Sequence, residues 1–349
     1  MNFDKTSNMK VDFNDLLIQP ADCTMISSRT EVNPYDLHGR LPLFTAPMDT
    51  VISETNVGCF HINKINVCFP RQKEFIPGNH FQAFRSISLD DFIEVYLKYD
   101  APQYQQYVLI DIANGHMKKM MDAISQAKKK YGDKLFIMAG NVASPGAYEN
   151  LSKAGADAVR IGIGNGNGCL TTQQTGIGYP MATLIRECYY KSLVIDNPAL
   201  IIADGGMKDY ADIIKAIALG AHYVMAGSVF NKALESCGET RLWKYIKIDI
   251  HSHYNLAHWL HKKGFKLTKR FRGMSTKEVQ KNWGNEELKT SEGIVRIRPV
   301  EYTLKQWRDN FEDYLRSAMS YTNCKTLEEF RGNVSLNIIS DQSFRRFNK

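Results

Sequence analysis

The stretch LIIADGGMKDYADIIKAIALGAHYVMA, Leu200–Ala226, contains a complete strand–helix–strand unit. Its two ends, Leu200–Ala203 and Tyr223–Ala226, are continuous apolar runs, which are typical of parallel strands covered on both faces. Between them, Met207–Leu219 repeats apolar residues with a helical period and is followed by Gly220, a residue type that often terminates helices. The stretch therefore predicts one β/α unit of a parallel sheet.

The same alternation of a short apolar strand and a helical segment runs through most of the chain. The predicted strands are Leu43–Met48, Asn66–Pro70, Gln82–Ser86, Val108–Ile112, Leu135–Ala139, Ala158–Ile163, Leu200–Ala203 and Tyr223–Ala226. Eight such units predict an α/β fold of the closed (β/α)8 (TIM) barrel type, and 349 residues exceed the about 250 that a barrel takes. The connection Arg71–Phe81 leaves little room for a helix, so a doubly wound open sheet is the alternative.

The alternation stops after the eighth strand. Lys232–Arg298 is polar and rich in aromatic residues, and we expect it to form an active-site flap and insertion over the barrel mouth. Glu301–Tyr321 predicts one amphipathic closing helix, because its apolar residues recur at spacings of three or four. Without repeats or low-complexity linkers, residues 1–349 are expected to form a single barrel domain.

Composition and charge argue against a nucleic-acid-binding, a membrane-spanning and a secreted protein. The net charge of +7 suits phosphorylated ligands, but Lys and Arg are interleaved with acidic residues, so no nucleic-acid surface is expected. No run approaches the roughly 18 apolar residues of a membrane span, and the N-terminus does not resemble a secretory signal. The seven cysteines form no CxxC pair, which favours a reducing, cytoplasmic location.

The segment Arg160–Pro180 carries the clearest chemical signal. It places six glycines and three threonines around one cysteine, Cys169, directly after a predicted strand. Glycines let the backbone approach a ligand closely, and exposed amides or carbonyls hold phosphates or cations. Cys169 is therefore a candidate nucleophile. A flexible turn with an incidental cysteine is the alternative interpretation.

In two further segments, Ile201–Met207 and Tyr223–Val229, a predicted strand is followed by an acidic residue or by small residues. In phosphate-binding barrels, the loops after the seventh and eighth strands hold the phosphate. Asp204 in the first segment is a candidate acceptor of hydrogen bonds from ribose hydroxyls. An ordinary turn with an N-capping aspartate is the alternative.

Several motifs occur in a characteristic order along nearly the whole chain from Val11 onward. They are PMDTV (Pro47–Val51), DIANG (Asp111–Gly115), MAGNV (Met138–Val142), the Cys169 loop with TGIGYP, then ADGG, AGS, RGMS (Arg272–Ser275) and SEG (Ser291–Gly293). In this order and spacing the sequence resembles the IMP dehydrogenase/GMP reductase family. DIANG and MAGNV resemble the GMP reductase branch, and PMDTV resembles the dehydrogenase branch. The chain lacks the tandem regulatory CBS module of most dehydrogenases and the adjacent Arg-Tyr pair that activates water in their flap.

The resemblance implies an oxidoreductase of purine nucleotide metabolism. Cys169 would add to C2 of GMP, or of a related guanine nucleotide such as dGMP, and ammonia would leave. NADPH, or NADH, would then reduce the covalent thioimidate to release IMP. Thr171 and Glu292 match the proton-relay positions of the family. The alternatives are IMP dehydrogenase-like oxidation of IMP to XMP with NAD, and a non-catalytic nucleotide-binding protein.

The same resemblance implies further ligand-binding residues and a homotetramer. The substrate-binding set is Met48, Asn167, Asp204, Gly206, Gly227, Ser228, Gly273, Met274, Ser275 and Lys289. The cofactor-binding set is Asp111, Asn114 and Gly115. Carbonyls of Gly164 and Gly166 would hold a monovalent cation such as K⁺, and either Arg71 or Lys73 would assist the reaction as the family's early basic residue.

Two parts of the sequence depart from the family pattern or add to it. The catalytic loop reads GNGNGCLTT where the family usually reads GPGSxCTTR, so Asn167 stands in place of a phosphate-binding serine. This change predicts either an altered nucleotide or weakened activity. The flap also contains His251, His253, His258 and His261, for which a solvated helix is favoured over a metal site.

Overall fold

The computed structural model describes residues 9–72, 83–98, 104–274, 276, 278–279 and 293–347. Numbered along the chain, the strands are β1 (Leu16–Ile18), β2 (Leu43–Thr45), β3 (Val67–Phe69), β4 (Ala83–Ile87), β5 (Gln106–Asp111), β6 (Leu135–Val142), β7 (Ala158–Ile161), β8 (Leu200–Asp204), β9 (Tyr223–Ala226), β10 (Thr240–Leu242), β11 (Ile246–Ile248), β12 (Leu267–Arg272), β13 (Val295–Pro299) and β14 (Leu336–Ile338).

Strands β2 to β9 form one parallel sheet in the order β2-β9-β8-β7-β6-β5-β4-β3. The two ends of this sheet meet through a parallel bridge between Phe44 and Asn66. There, Thr45 N donates to Asn66 O at 2.9 Å and Asn66 N donates to Leu43 O at 3.0 Å. The sheet therefore closes on itself, which confirms the (β/α)8 barrel and shows that the open doubly wound alternative is wrong.

The inside of the barrel is a packed apolar core. Phe44 of β2 packs edge-on against Phe84 of β4 and Tyr223 of β9, with ring centroids 5.6 and 5.1 Å apart. These inward side chains belong to one buried cluster with Cys68, Leu109, Met138, Ala158, Ile202 and Met225. Outward-facing residues of the same strands pack against the helices in a second, larger cluster. Burial on both faces explains the continuous apolar runs of the strands.

The α-helices between and after the strands are Val57–Ile62, Leu89–Phe92, Lys118–Tyr131, Pro145–Lys153, Thr171–Thr175, Met181–Ser192, Tyr210–Leu219, Ser228–Asn231, Tyr254–Lys262, Leu304–Tyr321, Leu327–Phe330 and Asp341–Phe347. The helix predicted from Met207 begins at Tyr210 instead, because the side chain of Asp209 caps it by accepting from Asp212 N at 3.0 Å. It ends at Gly220, whose φ of +125° favours glycine. Apolar periodicity alone does not reveal a cap two residues inside the pattern.

The predicted flap contains a second sheet. Strands β11, β10, β12 and β13 pair in that order, all antiparallel. The helix Tyr254–Lys262 packs on this sheet through Ala257 and Leu260, which share a small core with Leu242 and Leu267. Trp259, the neighbour of Leu260, is half exposed and stacks on Phe265. Both Trp259 and Leu260 therefore pack within the insertion.

The closing helix begins at Leu304, three residues later than predicted, because Thr303 and Gln306 form a capping box. Its apolar side chains are buried as the periodicity predicts, and Trp307 stacks on Phe311 with centroids 5.2 Å apart. Beyond it, β14 pairs antiparallel with β1. Within the described ranges, no helix is both long and apolar enough to cross a membrane.

Candidate active site

A cavity of about 330 Å³ lies at the carboxyl ends of the barrel strands. In a closed barrel this is the face where the β/α loops meet and where binding sites form. The predicted site residues that line this cavity are Met48, Asp111, Gly164, Gly166, Asn167, Cys169, Thr171, Asp204, Gly206, Gly227, Ser228, Gly273 and Met274. Residues up to 226 positions apart are thus brought to one place.

Some predicted site residues lie elsewhere or outside the described ranges. Gly115 lies behind the cavity wall, where its N–H donates to Asn141 O at 2.8 Å, and Asn114 is exposed beside it. Lys73, Ser275, Lys289 and Glu292 lie outside the described residues. Their predicted roles stay predictions.

Cys169 lies half-buried on the loop between β7 and the short helix that begins at Thr171. Its thiol donates a hydrogen bond to Thr171 Oγ1 at 3.2 Å. The backbone of the loop is fastened to the flap: Cys169 forms an antiparallel bridge with Gly293, and Ile294 N donates to Gly168 O at 3.2 Å. These contacts hold Cys169 in a defined position relative to the cavity.

Two glycines in this region have no room for a side chain. A Cβ on Gly164, whose φ is +83°, would lie 1.7 Å from Thr172 Oγ1. A Cβ on Gly273 would lie 2.4 Å from Gly168 O, where the flap approaches the catalytic loop. Glycine at these two positions is therefore a packing requirement. The cation site at Gly164 and Gly166 stays a prediction.

The floor of the cavity is a charged network centred on Arg160 of β7. Its guanidinium donates from Nη1 to Asp111 Oδ1 at 2.6 Å and from Nη2 to Asp204 Oδ2 at 2.7 Å. The Arg160 side chain is only 6% exposed. Burial by itself would lower the pKa of Arg160, but the two carboxylates outweigh it and raise that pKa, so the guanidinium is firmly charged.

Asn141, at the end of β6, completes this network. Its amide donates to Asp204 Oδ2 at 2.9 Å and to Gly162 O at 2.8 Å. Among the described residues, both side-chain hydrogen bonds of Asp204 fall on Oδ2, which leaves Oδ1 to accept hydrogen bonds from a ligand. Arg71, one of the two basic candidates, lines the cavity with its Nε 3.9 Å from Asp111 Oδ2.

Arg160 and Asn141 are functional candidates that the sequence analysis missed, although both lie in motifs that it quoted. The available signal was a charged or amide residue inside an apolar strand, next to strands that end in Asp111 and Asp204. A lone charge in a strand that is buried on both faces needs a buried partner. That argument would have placed Arg160 inside the barrel.

The opposite end of the cavity carries neutral polar groups. Asn167 Nδ2 donates to Ser228 Oγ at 3.0 Å, so the residue that replaces the family's serine contacts the other predicted phosphate ligand. Gly205 and Gly206 both have positive φ, +89° and +92°, in the turn after β8. Glycine adopts such a turn without the steric cost that a side chain would bring.

The flap is held over the cavity by Arg272, which is buried and forms ion pairs with Asp49 and Glu278. The histidines of the flap do not assemble. His251 contacts Thr55 Oγ1 at 3.1 Å, whereas His258 stacks on Tyr254. Across the described residues, no group of three or more His, Cys, Asp or Glu side chains could hold a metal ion.

Sequence comparisons assign this chain to a family. Residues 102–347 match the model for the IMP dehydrogenase/GMP reductase domain. The GMP reductase of Streptococcus gordonii is 34% identical over 90% of this chain and 91% of its own, and that of Clostridium acetobutylicum is 34% identical over 92% and 93%. The IMP dehydrogenase of Chlorobaculum parvum is 34% identical over 68% of this chain, which spans about half of that longer protein. The chain belongs to the IMP dehydrogenase/GMP reductase family.

Proposed function

We propose that this protein is a reductase that converts GMP, or a related guanine nucleotide such as dGMP, to IMP and ammonia with NADPH. The observation that carries the proposal is the Cys169 thiol, hydrogen-bonded to Thr171 on a glycine-rich loop inside a nucleotide-sized cavity. Similarity to GMP reductases over nine-tenths of the chain supports the same branch of the family.

The covalent step uses the pair of Cys169 and Thr171. The sulfur of Cys169 attacks C2 of the guanine ring, the bond from C2 to the exocyclic amine breaks, and a thioimidate remains. The proton of the thiol, which Thr171 Oγ1 accepts in a hydrogen bond, is passed to the departing amine, so ammonia leaves as a neutral molecule. Glu292, from the resemblance, is proposed to share this proton transfer.

The nucleotide is proposed to lie across the cavity with its ribose at Asp204 and its phosphate at Asn167 and Ser228. Asp204 Oδ1 accepts from the ribose hydroxyls, while Arg160 and Asn141 hold Oδ2 and fix the plane of the carboxylate. Amides of Gly206 and Gly227 add donors to the phosphate. This arrangement places the base over the Cys169 loop.

The nicotinamide group is proposed to bind beside Asp111 and Arg160. Within the described part of the chain, Nε of Arg160 is buried without a hydrogen-bond partner, and Asp111 supplies acceptors nearby. Such a set of a donor and acceptors suits a carboxamide, so the residues fit this group. When bound, NADPH supplies the hydride. Arg71 and Arg160 hold the Asp111 carboxylate in position.

Absorbance at 340 nm tests the proposal, with GMP plus NADPH compared against IMP plus NAD. We expect a loss of absorbance with the first pair, together with ammonia release. Cys169→Ala should abolish turnover while nucleotide binding persists, and Cys23→Ala, which changes an exposed cysteine, should not affect turnover. Undiminished turnover by Cys169→Ala would overturn the assigned nucleophile.

The IMP dehydrogenase reaction is the second candidate, favoured by the identity to the Chlorobaculum enzyme. A gain of absorbance with IMP and NAD would establish it in place of the reductase. Activity with dGMP but not GMP would keep the reaction and change the sugar. No turnover with any of these nucleotides would favour the non-catalytic alternative.

A further inference from the structure

A second cavity, of about 570 Å³, adjoins the phosphate end of the first. Asn167 and Ser228 line both cavities, so the two spaces share the pair of polar groups to which the 5′-phosphate is assigned. A volume in this range is typical of ligand pockets. The second cavity is therefore the space that a ligand would enter by extending beyond its 5′-phosphate.

The second cavity is strongly basic. Of its eight lining residues within the described ranges, four are cationic and none is acidic: Lys208, Lys232, Arg296 and Arg298. Lys232 is paired with Glu301 at 3.0 Å. As far as the described residues show, Lys208, Arg296 and Arg298 have no carboxylate within 4.0 Å, which sets them apart from the paired Arg160.

Arg296 lies close enough to Arg298 to disfavour its charged form. Arg298 lies half-buried with its guanidinium 4.5 Å from the centroid of Phe271, a residue that also lines the first cavity. Burial and the neighbouring charge of Arg296 lower the pKa of Arg298. Glu301 offsets the mutual repulsion of these cations only in part, and a bound polyanion would relieve it further. Guanidinium groups in particular suit phosphate oxygens, to which they donate pairs of hydrogen bonds.

The position of the cations separates them from the proposed nicotinamide subsite. Asp111, Arg71 and Arg160 line the first cavity but not the second. The basic cavity instead meets Asn167 and Ser228, at the end assigned to the substrate phosphate. The phosphate groups that it would bind therefore belong to the nucleotide substrate rather than to the dinucleotide cofactor.

We propose that this second cavity binds the β- and γ-phosphates of a guanine nucleotide, so that nucleoside di- and triphosphates are substrates in addition to the monophosphate. This inference rests on the proposed function, because it assigns the 5′-phosphate to Asn167 and Ser228. The chemistry at C2 is unchanged: the same C–N bond breaks, and GDP would yield IDP and ammonia. Lys208, Arg296 and Arg298 bind the added phosphates.

Steady-state kinetics with GMP, GDP and GTP, at saturating NADPH and without divalent cations, test the inference. We expect KM for GDP and GTP to be lower than KM for GMP by about tenfold or more, because the added phosphates form charge-assisted hydrogen bonds that the monophosphate lacks. Tenfold corresponds to about 1.4 kcal/mol. Arg296→Ala, which changes an exposed side chain, should bring the ratio of the two KM values close to one. Lys305→Ala, an exposed lysine on the closing helix, is the matched control and should keep the ratio.

Calorimetric titration separates failure of this inference from failure of the proposed function. If GMP is reduced but GDP has no lower KM, the inference is overturned and the proposed function stands. If no nucleotide is turned over, the proposed function fails, and tighter binding of GDP than of GMP that Arg296→Ala abolishes still supports the assignment of the second cavity to the added phosphates. If inorganic pyrophosphate binds but GDP binds no tighter than GMP, the second cavity binds a free anion rather than the phosphates of a nucleotide. The inference is then overturned.

Discussion

Arg160 in the barrel and Lys269 in the flap are both buried cations, but their surroundings differ. Arg160 lies between the carboxylates of Asp111 and Asp204. Lys269, on β12, is fully buried and donates a hydrogen bond to the carbonyl of Ser236. Burial lowers the pKa of Lys269 to about 7, whereas the two carboxylates raise that of Arg160.

The difference shows that the partners of a buried cation decide its charge. Desolvation opposes the charged form in both places. At Arg160 the opposing carboxylates overcome it, and a permanent charge is kept where ligands are proposed to bind. At Lys269 nothing of comparable strength overcomes it, so near neutral pH the ammonium readily loses its proton. Only the first of these cations is suited to orient other charged groups.

Removal of the paired cation should have the largest effect. Arg160→Met leaves the part-buried carboxylate of Asp204 without its cationic partner and that of Asp111 with only the longer contact to Arg71. We expect the free energy of unfolding to fall by about 3–5 kcal/mol, as measured by urea denaturation at pH 7.5. A fall of less than about 1 kcal/mol would contradict the proposed strength of this network.

A combined variant sharpens this first prediction. When Asp111→Asn and Asp204→Asn are added to Arg160→Met, the two carboxylates that lost Arg160 are neutralised as well. Most of the lost free energy of unfolding should return, because the penalty belongs to uncompensated carboxylates and not to the missing side chain. If the triple variant is as unstable as the single one, packing rather than charge is responsible.

For Lys269 we expect the free energy of unfolding to depend on pH, with an effect of intermediate size. Its pKa of about 7 in the folded state lies below the about 10.4 expected in the unfolded chain, so the unfolded state binds more protons between these values. The contribution of Lys269 to the free energy of unfolding therefore rises with pH above 7, by at most about 1.4 kcal/mol per unit. Between pH 7 and 9 we expect a gain of about 2 kcal/mol relative to Lys269→Met.

The comparison with Lys269→Met removes the contributions of the other titrating groups. Methionine has a similar length and no charge, so the difference between wild type and variant isolates the lysine. The measurement is the urea midpoint and slope at half-unit steps of pH. Parallel profiles for the two proteins would mean that Lys269 keeps its proton throughout, and the contrast with Arg160 would be lost.

An exposed ion pair should have the smallest effect. Lys305 lies 2.6 Å from Asp309 one turn along the closing helix, with its side chain 72% exposed. We expect Lys305→Ala to change the free energy of unfolding by less than about 0.5 kcal/mol, since water screens the pair. A change in the free energy of unfolding above about 1 kcal/mol in the same urea assay would contradict this prediction. It would show that the exposure of Arg160, Lys269 and Lys305 does not determine the relative size of their contributions to stability.

The barrel strands could be predicted because their signal is local. Tyr223–Ala226 agrees with β9 residue for residue, since a short run buried on both faces is apolar throughout. The first strand was predicted to reach Met48 but ends at Thr45. There, Pro47 has no N–H for a strand partner, and Ala46 and Met48 line the cavity.

The charged floor and the flap could not be predicted in the same way. Arg160 meets Asp111 and Asp204 at separations of 49 and 44 residues, and only closure of the barrel brings them together. In the flap, β11 has three residues that are mostly exposed, so no alternating apolar pattern marks it as a strand. The family motifs identified Cys169 and its neighbours, but not the ion pairs beneath them.

The closure of the barrel has a consequence for how the chain is made. Strand β2 pairs with β9, about 180 residues later in the sequence, through Thr45 and Ala226 among others. Ribosomes add about 5–20 residues per second, so the outer edge of β2 waits roughly 10–40 seconds for its partner. During that time the unpaired edge of a strand that is buried in the folded protein is open to other nascent chains. Slow translation of residues 45–226 would therefore lengthen the interval in which a chaperone has to cover this edge.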